Sequence, residues 1–455
     1  MRCIIKIIHS DSNTSAVAVK LRTIALTRTL SRSNESEKKK KKKKRVRLRN
    51  NYYDSTAFAS AMNFTNDYAS EEGKQSALKE FGKYAVPDLE RTHRTNHKGS
   101  KGKKIGIVGG SRDYTGAPYF AAMSSARTGA DLVHIFSHEK AAAAIKNYSP
   151  DLIVHSVLKD TKDIIEKFTK NDVSERDFGE AFEIFLNETR DFVNRMDAVV
   201  IGPGLGRDFL TWQMAIAVYK LARENNIPVV FDADALFMIH KYHKGGDFVD
   251  EGSYEFRIRQ ECKKVYDKCK VEEAEPLDGS RTQSREKLSC TVFTPNAREV
   301  SYGFDPNDTA AFEKTVTNFI TSIDLELKFQ QTAPMILAKG VDDIFVSVLA
   351  GEKQETSQRT KFENIEGSKK RCGGQGDILT GVLAVFLAWS NAEIDQSSPE
   401  TCIRSSRLAC FCASALTREA ARKAYEKNKR SLQSSDILLE LREALESLFP
   451  SINTY

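Results

Sequence analysis

The sequence predicts an α/β fold of three layers, α/β/α, with a mostly parallel central sheet held between helices. Two observations predict it. Short runs rich in β-branched residues alternate with helix-like segments, and clusters of glycine or acidic residues fall where those runs end. Composition allows a large core: 40% of the 455 residues are hydrophobic and 29% charged, ordinary values for a globular chain. No uncharged apolar run reaches the roughly 18 residues of a membrane-spanning helix, so a membrane role is not expected.

Residues 1–61 read as a basic, disordered tail or a targeting segment. Arg22, Arg28 and Arg32 lie among many Ser and Thr, as in organellar transit peptides. Lys38 to Lys44 then form an unbroken cationic run that repels itself and buries nothing. This composition predicts a mitochondrial location, with a plastid fitting the same features, or the cytoplasm if translation starts at Met62. The formal charge of +7 is concentrated there: residues 1–50 carry +13, which leaves −6 for residues 51–455. The basicity is therefore no argument for nucleic-acid binding. Residues 62–96 read as a linker or helical lead-in, and residues 97–455 as the catalytic domain. Eight dispersed cysteines form no C-x-x-C pair, which predicts reduced thiols.

Within the domain the predicted strands are Ile105–Val108, Leu132–Phe136, Leu152–Val157, Ala198–Ile201, Pro228–Phe231, Thr291–Phe293 and Met335–Leu337. Helical patterns include Pro118–Ala130, Phe209–Glu224 and Ile378–Trp389. The stretch at about 240–288 is charged and lacks a sustained apolar period. It reads as a surface insertion, partly helical or disordered.

The strongest chemical signal is Arg371-Cys-Gly-Gly-Gln-Gly-Asp377, followed by an apolar helix. Its glycines let the backbone approach a ligand, and the helix start offers free N–H groups to a phosphate. Asp377 there is either an N-cap or a general base that deprotonates a substrate hydroxyl. Ile201-Gly-Pro-Gly-Leu-Gly206 is a second glycine-rich strand exit without dinucleotide-fingerprint spacing. Phe231-Asp-Ala-Asp-Ala-Leu236 places Asp232 and Asp234 at a third strand exit. Asn296 and Glu299, in Thr294-Pro-Asn-Ala-Arg-Glu-Val300, suit a capping box as well as a ligand site. Lys339-Gly-Val-Asp-Asp343 puts a cation and two acids in a turn, and Val108-Gly-Gly-Ser-Arg-Asp-Tyr-Thr-Gly116 forms a small-residue loop. The last five of these clusters lie at carboxyl ends of predicted strands or just beyond, the ligand edge of an open α/β sheet. There is no Walker loop, H-E-x-x-H or G-x-S-x-G, and His134 in its apolar strand reads as a core residue.

Taken in order, these segments resemble the ATP-dependent NAD(P)H-hydrate dehydratases, a branch of the ribokinase-like kinases. The most specific strings are His97-Lys-Gly-Ser, Tyr114-Thr-Gly-Ala-Pro-Tyr-Phe-Ala-Ala122, Gly202-Pro-Gly-Leu-Gly206, Thr294-Pro-Asn296 and Cys372-Gly-Gly-Gln-Gly-Asp377. The resemblance implies a ribokinase-like fold and substrate contacts from Gly204, Asn296, Ala297, Arg298, Glu299, Val300, Ser301 and Tyr302, with Asp377 as base. It implies an ATP site of Lys339, Gly340, Val341, Asp342 and Asp343 with Gly367, Ser368, Lys369, Lys370, Arg371, Cys372, Gly373, Gly374, Gln375 and Gly376. Mg²⁺ would accompany ATP, with no residue assigned as its ligand. The implied reaction is ATP-dependent dehydration of the S-epimer of NADHX or NADPHX. A separate NAD(P)HX epimerase is the implied functional partner, because the region before residue 97 is too short to be that domain. Ribokinase-like relatives often associate, so a homo-oligomer fits. The alternative is a ribokinase-like kinase that phosphorylates a vitamin-type alcohol. A Rossmann oxidoreductase is disfavoured by the missing fingerprint, and a non-catalytic binding protein by the intact Gly373, Gly374, Gly376 and Asp377.

Overall fold

A nine-stranded sheet runs in the order β3-β2-β1-β4-β5-β6-β7-β8-β9. Its strands are β1 Lys104–Val108, β2 Leu132–His138, β3 Ile153–Leu158, β4 Ala198–Ile201, β5 Val229–Phe231, β6 Thr291–Phe293, β7 Pro334–Ala338, β8 Asp343–Leu349 and β9 Thr356–Phe362. The computed structural model describes residues 67–87, 103–167, 173–244, 253–271, 289–323, 333–349, 356–393 and 398–450. The tail at residues 1–61 lies outside them. Among the described residues no helix is long and apolar enough to cross a membrane.

Side-chain alternation sorts the strands onto two cores. In β4, Ala198 and Val200 join one cluster while Val199 and Ile201 join the other. The first cluster is covered by helices Gly116–Thr128, Gln375–Glu393, Pro399–Asn428 and Ser434–Leu448, the second by Glu175–Val193, Phe209–Glu224, Asp234–His243 and Thr309–Ser322. Strands buried on both faces carry few polar residues, so the parallel set from β1 to β7 was readable from Val, Ile and Phe runs.

β8 and β9 continue the sheet antiparallel from β7; β8 carries a comparable run, Ile344-Phe-Val-Ser-Val-Leu349, but is not among the strands predicted above. β9, Thr-Ser-Gln-Arg-Thr-Lys-Phe, is a polar edge strand and carries no core pattern. The 240–288 stretch also differs from a bare surface insertion. Its described part forms helix Tyr254–Val271, which buries Ile258, Cys262, Tyr266 and Cys269 in the second core. Those residues recur at helical spacing, but Cys and Tyr conceal the apolar stripe. In the 62–96 lead-in, helix Glu71–Tyr84 packs Phe81 against Phe386 at 4.8 Å, and Tyr68 lies 4.9 Å from Phe411. Among its described residues, 67–87, the segment is a helical lead-in that packs into the core.

His134 is buried, as its strand context implied, but it has a specific partner. Its Nδ1 lies 2.9 Å from His155 Nε2 on β3, and the two rings stack at 5.2 Å. Burial first, and the neighbouring imidazole second, push His134 down from its usual 6.5 to about 4. Burial also lowers His155. Because these folded-state values are depressed, the unfolded chain takes up protons first as the solution acidifies. The pair's contribution is intact above 6.5 and erodes as pH falls toward about 4. Thermal melts between pH 7 and about 5 should show a falling Tm for the wild type and a flatter profile for His134→Phe.

Candidate active site

Parallel pairing aligns Val108, Ile201, Phe231, Phe293 and Ile336 in one row across β1, β4, β5, β6 and β7. The chain therefore leaves these five strands along one edge, where Asp232, Thr294 and Lys339 emerge close together. Lys339, just after β7, reaches past the β6 exit to place Nζ 2.6 Å from Asp232 Oδ1. Burial works to lower the Lys339 ammonium, but Asp232 and Glu299 outweigh it and its pKa is raised. Breaking a pair this buried by removing one partner typically costs about 3–5 kcal/mol. Asp234, first residue of its helix, accepts a 2.9 Å hydrogen bond from Gly206 N and so ties the β4 exit to the β5 exit.

Asn296 and Glu299 form the reciprocal cap that their spacing allowed. Asn296 Oδ1 accepts from Arg298 N at 2.9 Å and Glu299 N at 3.2 Å, while Glu299 Oε2 accepts from Asn296 N at 2.9 Å. Burial and then Asp232 raise the Glu299 pKa, so its carboxyl also belongs to the charge cluster.

Asp377 is not an N-cap. Helix Gln375–Glu393 begins two residues earlier, which places Asp377 within the first turn. Its half-buried carboxyl is raised to about 7, first by burial and next by Asp232, with Lys339 opposing and Glu299 and Asp234 adding to the rise. Two glycines make this approach possible. A Cβ on Gly376 would lie 3.1 Å from Lys339 Nζ, and Gly374 has φ +96° with the Phe120 ring 2.8 Å from where its Cβ would stand. The free N–H groups of the helix start point out beside Asp377, a ready site for phosphate oxygens.

A cavity of about 1010 Å³ opens over this loop. Of the proposed ATP residues, Lys339, Gly340, Val341, Asp343, Gly367 and Ser368 line it, as do Arg371, Cys372, Gly373, Gln375 and Gly376. Asn296, Ala297 and Arg298 close its other side. The remaining candidates stand elsewhere. Asp342 pairs with Lys361 at 3.0 Å, Lys369 is exposed outside the lining, and Lys370 Nζ donates to the carbonyls of Arg430 and Leu432 at 2.6 and 2.9 Å. Gly374 sits under Phe120 and Ser434. Gly204 is buried beneath Tyr114 and Pro118. Ser301 caps back onto Arg298 O at 2.8 Å, Val300 O accepts from Phe304 N at 3.2 Å, and the Tyr302 ring packs 4.8 Å from His240.

Sequence reasoning missed Arg418, in the interior of helix Pro399–Asn428. Its guanidinium holds Asp343 at 2.7 Å and donates to the carbonyls of Val341 and Gly340 at 2.8 and 3.0 Å, fixing the β7–β8 turn. No local motif marks it; only the tertiary fold brings it there. Among the described residues, one group of metal-ligating side chains converges closely: His138, Asp160 and Asp163. The Arg112 guanidinium already neutralises both acids, so the group reads as an ion-pair network.

The sequence matches the NAD(P)H-hydrate dehydratase family model over residues 105–251 and 274–443. The ATP-dependent (S)-NAD(P)H-hydrate dehydratase of Arabidopsis thaliana is 35% identical over 368 residues, covering 80% of this chain and 82% of that one. The enzyme of the same name from Nematostella vectensis is 33% identical over 379 residues, covering 83% of each. Among solved structures, a ribokinase-like superfamily protein from Enterococcus faecalis aligns with a TM-score of 0.45 at 17% identity, covering 83% of this chain and 95% of that one. Matched at that identity over most of its length, the chain belongs to the NAD(P)H-hydrate dehydratase family.

Proposed function

We propose that this protein uses ATP to dehydrate the S-epimer of hydrated NADH or NADPH, releasing NADH or NADPH, ADP and phosphate. The carrying observation is Asp377: a carboxyl poised near neutrality at the start of a glycine-led helix, beside a cavity large enough for a nucleotide. The names of the relatives support the same reaction, and none of those cited is a kinase of vitamin-type alcohols.

The substrate carries its hydroxyl on a saturated carbon of the nicotinamide ring, and hydroxide is a poor leaving group. Asp377 takes the hydroxyl proton while the oxygen attacks the γ-phosphorus of ATP, and ADP departs. The backbone N–H groups of the glycine loop and the Lys339 ammonium stabilise the charge on the transferred group. The ring-nitrogen lone pair then expels phosphate as the C–O bond breaks. Loss of a proton from the adjacent ring carbon restores the double bond.

The site fits Mg²⁺. Its carboxylates are hard oxygen donors with an acidic excess over Lys339, and they do not converge into a cage, as suits an ion held largely by phosphates and water. Asp234 and Glu299, each already accepting one backbone N–H, are the residues that would hold it. Bound there, Mg²⁺ would neutralise the triphosphate. As further parts of this proposal, a separate epimerase interconverts the two hydrate epimers, copies of the chain associate, and the basic amino terminus directs a mitochondrial or plastid form while a Met62 start gives a cytoplasmic one. Imaging fusions with and without residues 1–61 tests the location.

The direct test incubates purified protein with the S-hydrate and follows reduced-nicotinamide absorbance. Recovery should require ATP and release phosphate in equal amount; recovery without ATP defeats the proposal. Asp377→Asn should lower kcat about 100- to 10,000-fold while retaining ATP binding. For the wild type, kcat/KM should rise through pH about 7 as Asp377 loses its proton. Lys339→Met removes the charge that favours the carboxylate, so the inflection should move up; Asp232→Asn should move it down. Arg418→Met frees the β7–β8 turn and should raise the KM for ATP about tenfold with little change in the KM for the hydrate.

A further inference from the structure

The strand order reverses between β1 and β4: the chain runs outward through β2 and β3 on one side and β5 to β9 on the other. An open parallel sheet leaves a crevice at such a switch point, at the carboxyl ends of its strands. Two loops line it, residues 109–115 after β1 and 202–207 after β4. They are stitched together, with Gly110 N donating to the carbonyls of Pro203 and Gly204, each at 3.1 Å. The first loop is closed by Ser111 and Tyr114, which exchange backbone hydrogen bonds of 3.2 and 3.3 Å.

Side chains pin the same loop from outside. Arg112 Nη2 donates to Asp160 at 3.0 Å and Asp163 at 2.6 Å, and Asp163 in turn lies 2.8 Å from His138 Nε2. On the far side, Thr115 Oγ1 sits 2.8 Å from the hydroxyl of Tyr148, whose ring meets Tyr119 edge-on at 5.3 Å. Tyr114 stands apart from this network. It is 58% exposed, and among the described residues its ring meets no other ring and its hydroxyl has no hydrogen-bond partner. Its Cβ is seated against Gly204 of the β4 loop, so a fixed backbone holds a large, exposed aromatic ring at the crevice.

The crevice leads to the reacting carboxyl. Gly206 N binds Asp234 Oδ2 at 2.9 Å, and Asp234 belongs to the acidic group around Asp377. The nucleotide cavity lies along the β7–β8 turn and the glycine loop, and Tyr114 is not part of its lining. We infer that Tyr114 is a substrate-binding residue whose ring supports the face of the hydrated nicotinamide ring while the ring hydroxyl is presented to Asp377. This rests on the hydrate-dehydratase reading given above. An exposed aromatic offers an apolar face on which the conjugated N–C=C–carboxamide part of the hydrated ring can lie, a contact indifferent to the phosphate that distinguishes NADPHX from NADHX.

The test is steady-state kinetics with the S-hydrates of NADH and NADPH. Tyr114→Ala should raise the KM for both hydrates roughly tenfold and leave the KM for ATP in place. Tyr114→Phe, which keeps the ring, should restore most of the lost affinity. An unchanged hydrate KM in Tyr114→Ala overturns the inference, as does a Phe variant as impaired as the Ala variant, or a shift confined to the KM for ATP. ATP-induced stabilisation in a thermal melt shows that each variant is folded. Failure of the wild type to restore either coenzyme would instead overturn the reaction assignment, so the same assay separates the two.

Discussion

The site is organised by one buried cation. Lys339 at the β7 exit balances Asp232 at the β5 exit, with Glu299 and Asp377 near enough to bias its charge. Without it, several carboxyls would crowd one sheet edge with nothing to offset their repulsion, and burial would drive them toward the neutral form. With it, the edge holds one tight ion pair, beside which Asp377 is raised to about 7 and Glu299 and Asp234 are raised as well. The raised Asp377 is thus a property of the ensemble: a lone aspartate in the first helical turn would be favoured as an anion by the helix dipole.

This arrangement divides the carboxyl edge into two stations. Toward the antiparallel end, the β7–β8 turn and the glycine loop enclose the cavity proposed for ATP. Toward the strand reversal lie the β1 and β4 loops, joined by hydrogen bonds from Gly110 N to the carbonyls of Pro203 and Gly204. Asp377 sits on the helix whose first turn faces the space between them. A phosphoryl group moving from one station to the other need travel only across that helix start, where backbone N–H groups are already oriented and need no rearrangement.

Much of this was legible in the residues. Parallel strands buried on both faces leave Val and Ile runs, so their existence and their shared ligand edge could be read from sequence, while their order in the sheet could not. Glycine and acid clusters after those runs pointed to this edge, and its glycine neighbours singled out Asp377 as a candidate. Other features were not legible. The Asp232–Lys339 pair joins residues 107 apart, and no spacing rule connects them. Arg418 acts from mid-helix, where an arginine usually means only a solvated face. Strand β9 is polar because it is an edge, and helix Tyr254–Val271 hides its buried stripe behind cysteine and tyrosine. Local pattern reports a segment's relation to water; it does not report which distant group will meet it.

Helix Gln375–Glu393 is apolar around most of its circumference, with Ile378, Val382, Leu383, Val385 and Phe386 all fully buried. Dense packing on every side denies it a direction in which to slide or rotate. The carboxylate it carries is consequently a fixed anvil: a bulkier alcohol gains no room by pushing it back, and a shorter one is not followed inward. Discrimination among alcohols then becomes a matter of depth, set by the distance from the crevice mouth to an immovable acid.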